Sequence, residues 1–590
     1  MKPLRLWPGV VFAVLQGACW FVVPALLPDQ AIYGFFGTLA ASLAVLVWWA
    51  FFSRAPQLER WSFFLLMIAA LFGTSRLLHV SVAQAGQGMM FIFYSIPSVL
   101  FAFVVAVVAG SWLGIQARRV VMIVTILLAS GSWALIRMDG VRFGGGDYAW
   151  RWSPTPEERL LAQTKDEAQL LTPAPAEVAK QPSGMPISEK RAEPQPVPAS
   201  AERTPEWPGF RGANRDSIIP GVRIATDWTK SPPAELWRRK VGPGWSSFAV
   251  NGNRLYTQEQ RGEYEIVACY NLQTGEPVWT HRDMTRFWEA NAGAGPRATP
   301  TLSSDRVYTF GATGILNALH AADGSVVWSH NVATDAEVKV PYWGFSSSPL
   351  VVGDVVIVAA SGRLAAYDLA SGELRWLGPK GGGSYSSPHL LTINGVPQVV
   401  LLTGAGATSV ASADGTVLWK QEWPDAGGIL QPALTADGDL LITVSGMAGG
   451  DGMRRITVSN EAGDWSVKER WNSRGLKPYF NDFIVHKGHA YGFDGAILAC
   501  IDLADGARKW KGGRYGQGQL VLLPAQDLLL VLSEDGELAL VSATADKFTE
   551  VARTPAIEGK TWNHPVLVGD LLLVRNAEEM AAFRLSMAAR

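Results

Sequence analysis

The chain has 590 residues, with 51 Lys and Arg against 52 Asp and Glu and a mean hydropathy of +0.12. A net charge of -1 excludes the basic footprint of a nucleic-acid binder, and three cysteines are too few for a disulfide framework. Positive hydropathy over this length excludes a single soluble domain, because the apolar residues crowd into the first quarter.

Five segments there reach spanning length: residues 7–27, 31–52, 61–82, 89–110 and 120–136. Lys2 and Arg5, then Arg54 and Arg60, then Arg118 and Arg119 fall in alternate loops, whereas residues 28–30 and 83–87 carry no Lys or Arg. The positive-inside rule then predicts a cytoplasmic N-terminus, and an odd number of spans puts everything after them outside. The expected address is the bacterial inner membrane, multi-pass, with a periplasmic C-terminal part. No small-residue cleavage site follows the first span, which reads as a retained anchor. Arg76 and His79, three residues apart in the third expected span, would share one helix face; they offer either a quinone-headgroup site or interfacial snorkelling. His79 is the sole histidine of the spans, which excludes a bis-histidine haem in that bundle.

Residues 153–206 are rich in Pro, Ala, Glu and Gln, with a possible short helix at 156–171. So low an apolar content cannot drive folding, and the organisation predicted is membrane bundle 1–140, tether 141–205 and folded domain 206–590.

The last domain is repetitive. Asn271-Leu-Gln-Thr-Gly275-Glu-Pro-Val-Trp279, Asp368-Leu-Ala-Ser-Gly372-Glu-Leu-Arg-Trp376 and Asp502-Leu-Ala-Asp-Gly506-Ala-Arg-Lys-Trp510 are its clearest copies, and Gly324 to Trp328 and Gly415 to Trp419 are shorter ones. The Asp or Asn opens a turn, the Gly supplies positive φ, and the Trp on the returning strand can wedge between sheets. Trp237, Trp279, Trp328, Trp376, Trp419, Trp471 and Trp510 lie 39 to 52 residues apart, with Val551 in the Trp place of a last copy. A period near 45 predicts an all-β propeller with blades of four strands. A second series runs in phase: Ser247, Thr299, Ser348, Ser387, Gln431, Asp482, Gln519 and His564 each open an apolar strand, giving eight blades. The orphan strand at 236–241 should pair with 581–585 and close the ring. Cys269 and Cys500 fall on corresponding strands of distant blades, too far apart to bond.

The Trp-bearing repeats, together with Trp207-Pro-Gly-Phe-Arg211-Gly-Ala-Asn-Arg215-Asp216, resemble the pyrroloquinoline-quinone-type propeller superfamily over residues 206–590. That superfamily includes quinoprotein alcohol and glucose dehydrogenases and the cofactor-free propeller of outer-membrane assembly machinery. Five spans followed by an outward propeller also resemble membrane-bound quinoprotein glucose dehydrogenase, which implies electron transfer to ubiquinone. The chain departs from many alcohol-oxidising members in having no adjacent cysteine pair, only one carboxylate at the strand openings, and no long loops to roof a cofactor.

Strand openings crowd the channel mouth of a propeller, so residues there converge. Trp245, Trp343 and Trp562 offer faces for a planar quinone, Arg297 and Arg514 partners for its carboxylates, and His564 a further ligand contact. Asn481 and Asp482 are the candidate Ca²⁺ ligands, and Asp482 the candidate base. The plainer reading gives the Ser, Thr and Gln openings to strand-end backbone groups, and gives Glu259, Asp494, Glu534 and Glu578 to solvated turns. No Walker loop, HExxH, GxSxG or post-strand GxGxxG competes. Two functions of different class stand: a pyrroloquinoline-quinone-dependent alcohol or aldose dehydrogenase, or a cofactor-free propeller that binds another envelope protein or a ligand. In a third, the spans do the work and the propeller is their sensor.

Overall fold

The computed structural model describes residues 4–27, 30–142, 145–163, 206–423, 428–443 and 452–588. Two compact units result, one of residues 1–155 with 288–293 and one of 156–287 with 294–590.

In the first unit five helices are long and apolar enough to cross a membrane: Trp7–Leu26, Ile32–Phe52, Gln57–Ser75, Met90–Trp112 and Ile115–Leu135. Most of their large apolar side chains face outward, as helices in a lipid solvent require, while Trp48, Trp49, Phe63, Phe103 and Met122 pack inside. Three basic segments meet at one end. Arg5 N–H donates to Ser53 O (3.0 Å), and the buried Glu59 carboxylate takes Arg119 at 2.6 Å and Arg118 at 3.5 Å. Alternate loops therefore share an end, as their charges had implied.

Two expectations for this unit are corrected. The third helix stops at Ser75 rather than running through 82, after a weak helix-forming Gly73-Thr74-Ser75 run. His79 lies outside it with extended backbone, capping the short helix Val80–Gln84 through Ser81 N–H, so Arg76 and His79 do not share a helix face. The geometry behind a ubiquinone headgroup site is absent. Part of the expected tether is also structured: Ile136–Arg142 and Gly145–Trp150 pair as an antiparallel hairpin, with a register shift at Asp139. Its Met138, Tyr148 and Trp150 supply enough apolar side chain for a two-stranded ribbon. Tether residues 143–144 and 164–205 lie outside the described residues.

The second unit is an eight-bladed propeller. Blades 1 to 7 span residues 249–283, 301–331, 350–377, 389–422, 433–473, 483–514 and 519–555, each an antiparallel meander of four strands in chain order. Blade 8 takes three strands from residues 566–584 and its outermost strand, Ala234–Lys240, from the beginning of the domain. Glu579–Arg584 pairs with that strand, with Ala582 opposite Trp237, so the ring closes as expected. The first strands of blades 1 to 4 adjoin in succession around the axis, as do those of blades 5 to 7. Cys269 and Cys500 occupy third strands of blades 1 and 6.

The recurring glycine and tryptophan serve different blades. Trp237, Trp279, Trp328, Trp376, Trp471 and Trp510 each donate their indole N–H to a main-chain carbonyl of the next blade, at 2.7 to 3.1 Å. The ring then lies on the next repeat's glycine: a Cβ on Gly324 would stand 2.4 Å from the Trp279 ring, and one on Gly415 2.5 Å from Trp376. Positive φ and ring contact both demand glycine there, which is why the two residues recur together. Trp419 bonds Gln398 within its own blade instead.

The helix Pro156–Gln163 belongs to this unit. Glu157 accepts from Gly262 N–H and pairs with Arg286 at 2.8 Å, fastening the helix to blade 1.

Candidate functional site

The openings of the first strands form a collar that links blade to blade. Ser247 N–H donates to Thr299 Oγ (3.0 Å), Thr299 N–H to Ser348 Oγ (3.0 Å), and Ser348 N–H to Ser387 Oγ (2.9 Å). Ser247 Oγ closes the seam to blade 8 by donating to His564 O (2.6 Å), and Gln519 accepts Asp482 N–H (3.3 Å). Ser, Thr and Gln recur at this phase because a short side-chain oxygen satisfies the neighbouring blade's strand-end N–H.

What the strand repeats do not announce is an internal plug. Trp207 adds a short strand to blade 1 opposite Val250, and residues 208–218 then cross the axis. Arg211, Gly212, Arg215 and Ser217 all have positive φ, between 56° and 86°, so the segment coils tightly. Its side chains reach distant blades: Arg211 contacts Asp482 and Phe483 O in blade 6 and Gln431 in blade 5, whereas Arg215 donates to Ser348 O (3.0 Å) and Pro349 O (2.8 Å) in blade 3. Ile218 then bridges to Leu522 of blade 7.

At the centre stands a sealed quartet. Arg211 Nε lies 2.6 Å from Asp482 Oδ2 and donates to Ser217 Oγ at 2.9 Å. Ser217 Oγ is 2.9 Å from His564 Nε2, and His564 Nδ1 is 2.9 Å from Pro565 O. A carbonyl only accepts, so Nδ1 carries the proton and Nε2 receives the serine hydroxyl. Burial, aided by the Arg211 charge, pushes His564 down to about 3, so the ring is neutral. Burial pushes Asp482 above the usual carboxylate range, against the Arg211 charge, which pulls it down.

The Ser217–His564 spacing is that of a nucleophile and its base, yet the rest of a triad is missing. Ser217 is fully buried, its oxygen already accepts from Arg211, and Asp482 approaches the same imidazole nitrogen as the serine, at 3.6 Å. The quartet is a clasp between the plug and blades 6 and 8.

The mouth residues chosen from sequence do gather in part. Trp245 and Trp562 have centroids 4.7 Å apart, Phe480 lies 4.9 Å from Trp562, and Lys560 sits over both indoles at 5.3 and 4.3 Å. Across the ring, Trp343 packs on Tyr385 at 5.2 Å. Arg297 donates to Trp343 O (3.1 Å) and lies over Phe287. Arg514 is exposed at the end of blade 6. Asp482, Asn481 and His564, by contrast, are nearly solvent-free; Asn481 Oδ1 accepts Tyr479 N–H (2.9 Å).

Glu259, Asp494 and Glu534 are buried bonding centres rather than solvated turns. Glu259 takes Arg261 at 2.8 Å and Tyr270 Oη at 3.0 Å; Asp494 takes Lys477, Arg508 and Lys511; Glu534 takes the Trp562 indole N–H at 2.8 Å. Glu578 N–H donates to Asn576.

These residues do not fit pyrroloquinoline quinone with Ca²⁺. A quinone needs an open slot between flat faces, and here the mouth rings pack on one another. A calcium ion needs several oxygen ligands, and the one carboxylate at the strand openings already faces Arg211. Among the described residues no three His, Cys, Asp or Glu side chains converge to hold a metal.

Eight meanders, the tryptophan-bearing repeat and the closing strand define a pyrroloquinoline-quinone-like β-propeller repeat protein. More particularly, the family model described as outer membrane protein assembly factor BamB matches residues 231–400. BamB of Yersinia pestis is 23% identical over 326 residues, covering 52% of this chain and 70% of that protein. BamB of Shewanella oneidensis is 28% identical over 197 residues, 31% of this chain and 45% of that protein. Among solved structures, BamB from Moraxella catarrhalis superposes with a TM-score of 0.44 at 14% identity, covering 60% of this chain and all of that one. Quinohemoprotein alcohol dehydrogenase from Comamonas testosteroni gives 0.48 at 13% identity, covering 66% and 82%.

Proposed function

We propose that this protein is a membrane-anchored propeller that acts, without a redox cofactor, as a docking scaffold for another envelope protein. The observation that carries this reading is the buried Arg211–Asp482 ion pair, which sets a guanidinium against the single opening carboxylate at a place closed to solvent. Five apolar helices supply the anchor. The basic loops gathered at one end of the bundle favour a cytoplasmic N-terminus and a periplasmic propeller at a bacterial inner membrane. The similarity to proteins named outer membrane protein assembly factor supports an envelope protein as the partner class.

The mouth offers the docking chemistry. Tyr342 is exposed, Trp245, Trp343, Tyr385 and Trp562 are half-buried, and cations lie among them, the composition from which interface hot spots are built. The test is a thermal melt of the full-length protein with saturating pyrroloquinoline quinone and Ca²⁺, alongside dye reduction with an alcohol or aldose. The scaffold reading expects neither a shift in melting temperature nor turnover. A ligand-dependent rise in melting temperature would reinstate the dehydrogenase reading.

A further inference from the structure

On the side of the plug away from the mouth, the ends of the first strands of blades 3 to 6 line an open cavity of about 1050 Å³. Its wall is largely apolar, with Leu350, Leu390, Leu434 and Ile484 among the lining side chains. Its inner end is basic and contains two buried groups that the propeller leaves unsatisfied. Arg215 and His389 both line the cavity and are more than nine-tenths buried, and the Arg215 Nε and His389 Nδ1 atoms have no hydrogen-bond partner. Leaving such donors unmet costs free energy, so a native structure that keeps two together calls for an explanation.

Charge points the same way. Arg211 is balanced by Asp482, but Arg215 is met only by the carbonyls of Ser348 and Pro349 among the described residues. Burial and the nearby Arg211 charge lower Arg215 to about 9, and burial with both arginines lowers His389 to about 3. The cavity's own carboxylates are engaged elsewhere: Asp216 accepts Ile218 N–H, Asp437 pairs with Arg455, and Asp502 pairs with Lys509. One buried cation thus lacks an anion, next to a neutral imidazole able to donate.

We propose that this axial cavity is a binding site for a carboxylate carried on an apolar chain, the carboxylate meeting the Arg215 guanidinium and the His389 imidazole at the inner end and the chain lying along the leucine-lined wall. The site is separate from the mouth, and the inference does not rest on the scaffold reading.

Calorimetry on the full-length protein in lipid nanodiscs tests it, with three probes: acetyl-Ala-Leu-Val-Leu as free acid, the same peptide as C-terminal amide, and hexanoate. The free-acid peptide should bind roughly tenfold or more tightly than the amide, the loss expected for a charged hydrogen bond. Equal binding of hexanoate would identify a free carboxylate as sufficient, whereas binding of the peptide acid alone would identify a chain terminus. His389→Phe should weaken acid binding by a similar factor. Leu434→Glu, at a partly exposed rim position that does not threaten folding, should also weaken it by placing a like charge on the wall. No heat with either acid, equal affinity for acid and amide, or indifference to both substitutions would overturn the proposal.

Discussion

Arg211 Nε and Asp482 Oδ2 stand 2.6 Å apart with each side chain only 3% exposed, joining a segment that precedes the propeller to the opening of its sixth blade. A buried ion pair is costly to assemble and more costly to break, because removing one partner strands the other charge in a poorly solvating interior. The pair therefore holds the plug in one position while contributing little net stability itself.

The first prediction follows from that asymmetry. Asp482→Asn and Arg211→Met should each destabilise the propeller by about 3–5 kcal/mol. The double variant Arg211→Met/Asp482→Leu should lose much less than the sum. Urea unfolding of all three measures the coupling, and additive losses would show that the pair is not a unit.

The second concerns the glycines under the tryptophans. Gly324→Ala meets both a φ of +75° and the Trp279 ring, whereas Gly353→Ala, at φ +58°, meets nothing within 4 Å. Gly324→Ala should cost about 1–3 kcal/mol more than Gly353→Ala, since a displaced ring loses packing as well as its indole hydrogen bond. Equal melting temperatures for the two variants would refute the inter-blade role of the ring.

The third is a pH dependence. His389 and His564 are each lowered from 6.5 to about 3 in the folded state, so the unfolded chain binds their protons first as pH falls. Stability from these groups is full above pH 6.5 and is lost on acidification, at about 1.4 kcal/mol per pH unit for each. Glu265, buried beside Gly311, is raised from 4.5 to about 8 and works in the opposite sense: its contribution is full below pH 4.5 and is lost as pH rises toward 8. Glu265→Gln should abolish the loss between pH 4.5 and about 8, so that stability climbs more steeply from pH 4.5 to 6.5 and levels off above it, because the amide keeps the acceptor for Ala312 N–H and carries no charge. Denaturation midpoints from mildly acidic to mildly alkaline pH check both limbs.

The fourth is topological. A phosphatase fused after Gly145 should be active and one fused after Arg54 inactive, as the alternating basic loops require. Activity of the Arg54 fusion alone would reverse the orientation.

The blades, the closing strand and the apolar helices were legible in the sequence because each depends on short-range pattern: a turn glycine and its tryptophan, a polar residue before an apolar strand, an unbroken apolar run. Even the mouth tryptophans could be placed, since the repeat fixes which residues start each blade. The end of the third helix is not legible, because apolar residues carry on through 76–82 although the helix stops at Ser75. The hairpin at 136–150 leaves no such pattern, because two short strands flanked by glycines have the composition of a linker. Asp482 was assigned a role from its place in the repeat, but that role is set by Arg211, 271 residues away. Two arginines in a Gly- and Asn-bearing turn were the only local signal of the plug. No periodicity encodes which blades such side chains will reach, so the tertiary structure alone decided that the axis is filled from within, and burial there turned a candidate base into half of a clasp.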